Sequence, residues 1–203
     1  MTRSLPSILI TRPEKDAQSL RNLLEEHGFH GLVEPLLKME ISPSPPPLLV
    51  DMESRSKYDG ILVTSKNAIR ALEQWEMPED LPIYTLYHTA DFARSLGFHR
   101  AKGIGANALE LLQRLPAEFA HGSPYLLYLR GEDVSRELGN ELAAEGIGCD
   151  EATVYRAAAS TAFSDDCLHW FHTGMIQGVT LLSARTAAIF IRLVRQHHLT
   201  HLL

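Results

Sequence analysis

A chain of 203 residues can bury one or two cores, and 45% hydrophobic with 22% charged residues is the balance of an ordinary globular protein. The net charge of −6, with no Lys/Arg cluster longer than a dipeptide, argues against general nucleic-acid binding, which needs a basic face to neutralise phosphates. No apolar run reaches the length of a membrane span, no secretory h-region follows Met1, and the two cysteines, Cys149 and Cys167, form no disulfide framework, so a cytoplasmic protein without a membrane partner is expected.

Residues 7–11, SILIT, read as a buried strand, and Pro13 suits the first turn of the helix that follows. That helix carries Ala17, Leu20, Leu23 and Leu24 at three- and four-residue spacings and stops at Gly28. A short GLVEPLL leads into ISPSPPPLL, whose Pro and Ser break helix and strand alike and mark a crossing segment. YDGILVTS is a second buried strand with KNAIRALEQW as its helix, and LPIYTLYHTADFARSLGF gives a strand, a Thr89 cap and a helix ending at Gly97. IGANALELLQRL reads as another helix. YLLYLRGE restarts a strand, its helix runs to about Gly146, and Thr153, Val154 and Tyr155 make the next segment strand-like. A helix at DDCLHWFH, the strand GVTLL and the helix ARTAAIFIRLVRQ complete the chain.

Parts of this series occur twice. Ser65 and Ser183 are 118 positions apart (183 − 65), each five residues after a glycine, and the same offset relates Arg12 to Arg130, Glu14 to Glu132 and Gly28 to Gly146. Two unrelated stretches with one offset indicate a duplicated unit too long for a solenoid repeat, and so two similar α/β domains. Regular strand–helix alternation predicts parallel sheets covered on both faces, with ligands beyond the carboxyl ends of the strands. At that offset the second copy has no counterpart of roughly residues 86–118, so it is expected to be cut short, which leaves the domain that holds residues 160–203 short at its C-terminal side.

The strand ends carry Thr11, Arg12, Thr64, Ser65, Thr89, Arg130 and Ser183. A small hydroxyl there can be a helix N-cap worth about 1 kcal/mol, and it can also sit at a helix end that receives a carboxylate. Arg12 and Arg130 oppose a helix macrodipole if they stand at helix starts, which leaves a structural ion pair, with Glu14 or Glu132 or across the sheet end, or an anionic ligand as the cause. Tyr155 is either packing or a polar group at a wet edge. GIGANA lacks the third glycine of a dinucleotide fingerprint, no Gly-x-Ser-x-Gly elbow occurs, and the HWFH and HHLTH histidines lack cysteine or carboxylate partners at ligand spacing. No cofactor and no metal are expected.

Taken in order, ILITRPEKDAQSLRNLLEEHGF, YDGILVTSKNAIRAL, YLLYLRGEDVSRELGNELAAEGIGCDEATVYRAA and GVTLLSARTAA resemble the uroporphyrinogen-III synthase family and cover most of residues 7–190. The resemblance implies two similar α/β domains with parallel sheets flanked by helices, joined by a two-strand β ladder, with a cleft between the domains. It implies one domain of residues 1–35 plus 160–203, another of 42–151, and ladder strands at 36–41 and 152–159. It further implies a cofactor-independent lyase that cyclises hydroxymethylbilane to uroporphyrinogen III with loss of water and inversion of the last pyrrole ring, in tetrapyrrole and haem biosynthesis. The implied catalytic residue is Tyr155, and the implied substrate contacts are Thr64, Ser65, Thr89, Ser183, Arg12 and Arg130. A monomer is expected, with hydroxymethylbilane synthase as a transient partner. The chain departs from the family at Leu86, where glycine is common, and in lacking a second "GxxTA" stretch. The alternatives are a non-enzymatic two-lobed small-molecule binding protein and an inactive family member serving as a scaffold.

Overall fold

The computed structural model describes residues 5–77, 80–119, 122–134 and 136–202. The chain divides into two compact units, Met1–Met39 with Ala157–Leu203, and Glu40–Arg156.

In the first unit β1 (Ser7–Ile10) leads through α1 (Glu14–Glu26) to β2 (His30–Val33). Pro13 sits one residue earlier than the first helical turn, at the N-cap, and its carbonyl accepts from Asp16 and Ala17. Gly28, at φ +81°, takes the left-handed turn that stops the helix. β3 (Leu37–Ile41) follows and runs past the unit boundary.

The second unit contains α2 (Pro47–Val50), α3 (Met52–Ser56), β4 (Gly60–Val63), α4 (Lys66–Gln74), β5 (Ile83–Leu86), α5 (Tyr87–Ser95), β6 (Ala101–Gly105), α6 (Ala108–Arg114), β7 (Tyr125–Gly131) and α7 (Leu138–Ala144). β8 (Gly148–Ala159) then crosses back, and α8 (Asp165–His172), β9 (Ile176–Thr180) and α9 (Ala184–Gln196) belong to the first unit. The strand orders are β2-β1-β9 and β3-β8-β7-β4-β5-β6. Every pairing of β1 with β2 and β9, and of β4, β5, β6, β7 and β8 with their neighbours among these five, is parallel. Ser42 N–H donates to Val154 O and Ser160 N–H to Leu36 O, each at 3.0 Å, at the two ends of the β3–β8 contact.

The 118-residue offset is visible in this topology. β2-β1-β9 and β8-β7-β4 have the same order, Gly146 (φ +78°) repeats Gly28, and Ser65 and Ser183 both cap the helix that follows.

The continuous apolar runs explain the second sheet. Ile61, Val63, Leu127 and Leu129 pack on one side with Ala68, Ile69 and Leu72 of α4, while Leu62, Leu126 and Tyr128 pack with α6 and α7 residues Leu111, Leu138 and Leu142. Alternate side chains thus enter two cores, which is why these strands carry few polar residues. In the first unit, Leu9 and Leu32 meet Phe163, Phe171, Phe190 and Leu193. Glu34, 6% exposed, accepts from Ser164 N–H (2.9 Å) and Oγ–H (2.6 Å), tying β2's end to the residue that caps α8.

Three expectations are corrected. The segment read wholly as helix from Ile104 begins with the end of β6, and the helix starts only at Ala108 after an Asn107 cap. A Cβ at Gly105 would lie 2.5 Å from Leu111 N, so the glycine that weakens the strand signal lets α6 approach its backbone. Thr89 is not a cap: α5 starts at Tyr87, with Leu86 at the N-cap position. The proline-rich crossing also contains a one-turn helix, α2, because a proline at the start of a helix forfeits only an N–H that had no partner there.

Near the amino ends of β7 and β8, the Asp150 carboxylate accepts from Lys57 Nζ (2.7 Å), Tyr58 Oη (2.7 Å) and Tyr125 Oη (2.9 Å). These donors, Lys57 foremost, hold its carboxyl below the usual range. A depressed folded-state pKa contributes stability that is full above the unfolded value of about 4 and is lost as pH falls through the lower folded value. Asp150→Asn is therefore expected to lower the urea midpoint at pH 7, with the gap to the parent narrowing as pH drops below about 4. A gap independent of pH would contradict this assignment.

Candidate functional site

Parallel pairing brings the carboxyl ends of β4 and β7 together and sets the end of β7 beside Tyr155, within β8. There a cavity of about 140 Å³ is lined by Thr64, Tyr128, Gly131, Asp133, Arg136 and Tyr155, among others. Thr64 follows the last residue of β4, and its Oγ1 shares a hydrogen bond of 3.2 Å with Tyr128 Oη. Tyr128 is 3% exposed, and burial pushes its phenol pKa up, so it keeps its proton at neutral pH.

Tyr155 is placed by an irregularity. Arg130 is opposite Thr153, but the next β7 residue, Gly131, is opposite Tyr155, so Val154 is the extra residue of a β-bulge. Val154 is fully buried in the core, Glu132 N–H donates to Tyr155 O at 2.9 Å, and the Tyr155 side chain reaches the cavity. Bulges re-aim side chains in this way. Tyr155 also borders a second cavity of about 260 Å³, together with Glu40, Ser42, Glu132 and Arg156.

A third cavity, about 370 Å³, lies at the carboxyl ends of β1 and β9 in the first unit, lined by Thr11, Arg12, Asp16, Ser183 and Thr186. Ser183 Oγ accepts from Thr186 N–H at 3.0 Å and lies 2.8 Å from Thr186 Oγ1. Arg12 is half-exposed and only loosely paired with Asp16 at 3.6 Å, a surface contact that contributes little and leaves the guanidinium available.

The remaining candidates are arranged differently. Ser65, half-buried at the start of α4, accepts from Asn67 N–H at 3.2 Å. Thr89 is fully buried, and its Oγ1 has no hydrogen-bond partner among the described residues. Leu86 is 8% exposed and fills the core beside Ile104 and Leu112. Arg130 lies 2.6 Å from Glu151 through Nε, and its Nη1 donates to Gly131 O at 3.2 Å. Of the ion pairs expected for it, the one formed is thus across the sheet, from β7 to Glu151 of β8. Arg130 does not stand at a helix start either, since α7 begins at Leu138, and the macrodipole argument does not apply to it. Arg130 lines none of the three cavities described.

Tyr128, Gly131, Asp133 and Arg136 are site residues that the sequence does not single out. Arg136 makes a two-pronged contact with Glu141, with both bonds at 2.5 Å, which raises its own pKa and holds the Glu141 carboxyl below the usual range. The 118-residue match gives no signal for them, since it sets Asp133 and Arg136 against positions 15 and 18 of helix α1.

The chemistry on offer is that of hydroxyls, phenols and arginines. Burial pushes the Cys149 thiol up to about 12, so it is no thiolate nucleophile at neutral pH. Among the described residues no three His, Cys, Asp or Glu side chains form a metal-holding group, and no helix is long and apolar enough to cross a membrane.

Parallel sheets flanked by helices, in two units of repeated topology, define an α/β protein, a class in which the usual ligand position is the crevice beyond the carboxyl ends of the strands. The family described as uroporphyrinogen-III synthase HemD matches residues 18–203, and the chain belongs to this enzyme family of porphyrin and haem biosynthesis. In fold it is similar to uroporphyrinogen-III synthetase from Helicobacter pylori 26695, with a TM-score of 0.56 and 18% identity over 93% of this chain and 78% of that one. A mutant uroporphyrinogen III synthase from Thermus thermophilus gives a TM-score of 0.45 at 16% identity, over 92% and 76%. Family membership sets aside the unrelated two-lobed binding protein.

Proposed function

We propose that the chain converts hydroxymethylbilane to uroporphyrinogen III, releasing one water. The observation that carries this reading is the meeting of Tyr155 and Thr64 at one cavity beyond the strand ends, in a member of this family. The Tyr155 phenol donates a hydrogen bond to the departing hydroxyl of the bilane. Loss of that hydroxyl leaves an azafulvenium electrophile. The substituted carbon of the last pyrrole attacks it to give a spiro intermediate, which reopens and recloses with that ring inverted. The electrophile reacts unaided, so the protein's work is to favour attack at the substituted carbon over attack at the free terminal carbon.

Carboxylate-binding groups stand in each unit taken by itself: the hydroxyls of Thr64 and Ser65 at the start of α4 in the second, and Ser183 at the start of α9 with the half-exposed Arg12 guanidinium in the first. Thr89 and Arg130 act as secondary contacts that need a change of side-chain position to reach substrate, since one is fully buried and the other is engaged by Glu151. The free cysteines suit a cytoplasmic setting.

The test supplies fresh hydroxymethylbilane and separates the products as oxidised porphyrins. Excess isomer III over the spontaneous isomer I supports the reading, and isomer I alone from folded protein overturns it in favour of a scaffold. Activity is expected to survive a metal chelator unchanged. Inactivation that zinc reverses would bring the histidine pairs into the mechanism.

A further inference from the structure

Among the described residues the glycines with positive φ are Gly28, Gly97, Gly122, Gly146 and Gly174. Gly131 is not one of them, so its backbone conformation does not require glycine. Its space does. A Cβ built at Gly131 would lie 2.6 Å from Tyr155 Cε2, 2.8 Å from Cζ and 3.0 Å from Oη. All three atoms belong to the outer end of one phenol ring, and none is backbone. The bulge that makes Gly131 and Tyr155 cross-strand neighbours is what lays the ring over the bare Cα.

We propose that Gly131 is a positioning residue for Tyr155: lacking a side chain, it lets the phenol lie against the end of β7, which sets where the hydroxyl meets the Thr64–Tyr128 cavity. An aromatic ring over a cross-strand glycine is a stable pairing, since the ring covers backbone that glycine leaves open. The phenol is the movable partner. A methyl group at position 131 displaces the hydroxyl and leaves the strand in place, because the far end of a tyrosine side chain yields more easily than hydrogen-bonded β backbone. The catalytic consequence rests on the function proposed above for Tyr155, whereas the placement of the ring does not.

The experiment combines kinetics with ring spectroscopy on the whole chain. Gly131→Ala is expected to lower kcat about tenfold with KM within about twofold, and to change kcat less than about twofold when introduced into Tyr155→Phe, where no hydroxyl is left to misplace. Equal losses in both backgrounds, or an unaltered kcat in Gly131→Ala, would overturn the proposal. With ¹³C-labelled tyrosine rings, the Tyr155 signal, identified by its loss in Tyr155→Phe, is expected to shift in Gly131→Ala while that of Tyr58 stays. An unmoved Tyr155 signal overturns the positioning role even if the parent chain makes only isomer I, so failure of the enzyme reading and failure of this one are told apart. Should Gly131→Ala not fold, adding Tyr155→Ala is expected to restore folding by removing the ring. Failure of that pair would show that the methyl group meets something other than Tyr155, and would sink the proposal.

Discussion

Tyr155→Phe is expected to lower turnover severalfold to about a hundredfold, with unchanged far-UV circular dichroism and melting temperature. The change deletes one oxygen at a half-buried position lining a cavity and keeps the ring that covers Gly131. A hundredfold loss corresponds to about 2.7 kcal/mol of transition-state stabilisation, the scale of one hydrogen bond to developing charge. Because the bond strengthens as the hydroxyl departs, the loss belongs in kcat, with KM little changed. Steady-state kinetics with fresh substrate and porphyrin isomer separation measure it. Unchanged kcat would remove Tyr155 from the chemistry, and a rise in KM alone would make it a binding contact.

Leu127→Ala is expected to cost the second unit about 3 kcal/mol, read as a lower urea midpoint with an unchanged slope. Leu127 is fully buried in β7, between β8 and β4, and packs in the core shared with α4 and α5. Its removal leaves a cavity between a hydrogen-bonded sheet and helices that close it only in part. Leu23→Ala supplies the contrast. The helical spacing of α1 assigns Leu23 to the apolar face with Ala17, Leu20 and Leu24, yet it is 52% exposed, whereas Ala17 is 1% exposed. Its truncation is expected to change stability by less than about 0.5 kcal/mol. Equal effects at the two positions would mean that the packing described for one of them is wrong.

That pair of leucines shows what a pattern of apolar residues can and cannot locate. Periodicity finds α1 and its stop at Gly28, but which flank of the apolar stripe meets β1 and β2 depends on how the helix is rotated about its axis. In the sheets the pattern is firmer, because a run such as Leu126–Leu127–Tyr128–Leu129 has room for its alternate side chains only if both faces are covered. β6 is hidden for the opposite reason: its two glycines give a weak strand signal because α5 and α6 press on its backbone. That contact is invisible before folding.

The residues of the site divide along the same line. Strand ends are legible locally, so Thr64, Ser65, Arg12 and Ser183 can be picked from the chain, whereas Tyr155 stands out only through the family resemblance, and the 118-residue offset announces the doubled topology. Which of these share a cavity depends on strand order and register, and those follow from packing between segments tens of residues apart. Only the tertiary structure pairs Thr64 with Tyr128, commits Arg130 to Glu151, buries Thr89, and slips β8 by one residue so that Tyr155 lies over Gly131. Local chemistry chose the side chains, and the long-range register of parallel strands decided which of them meet.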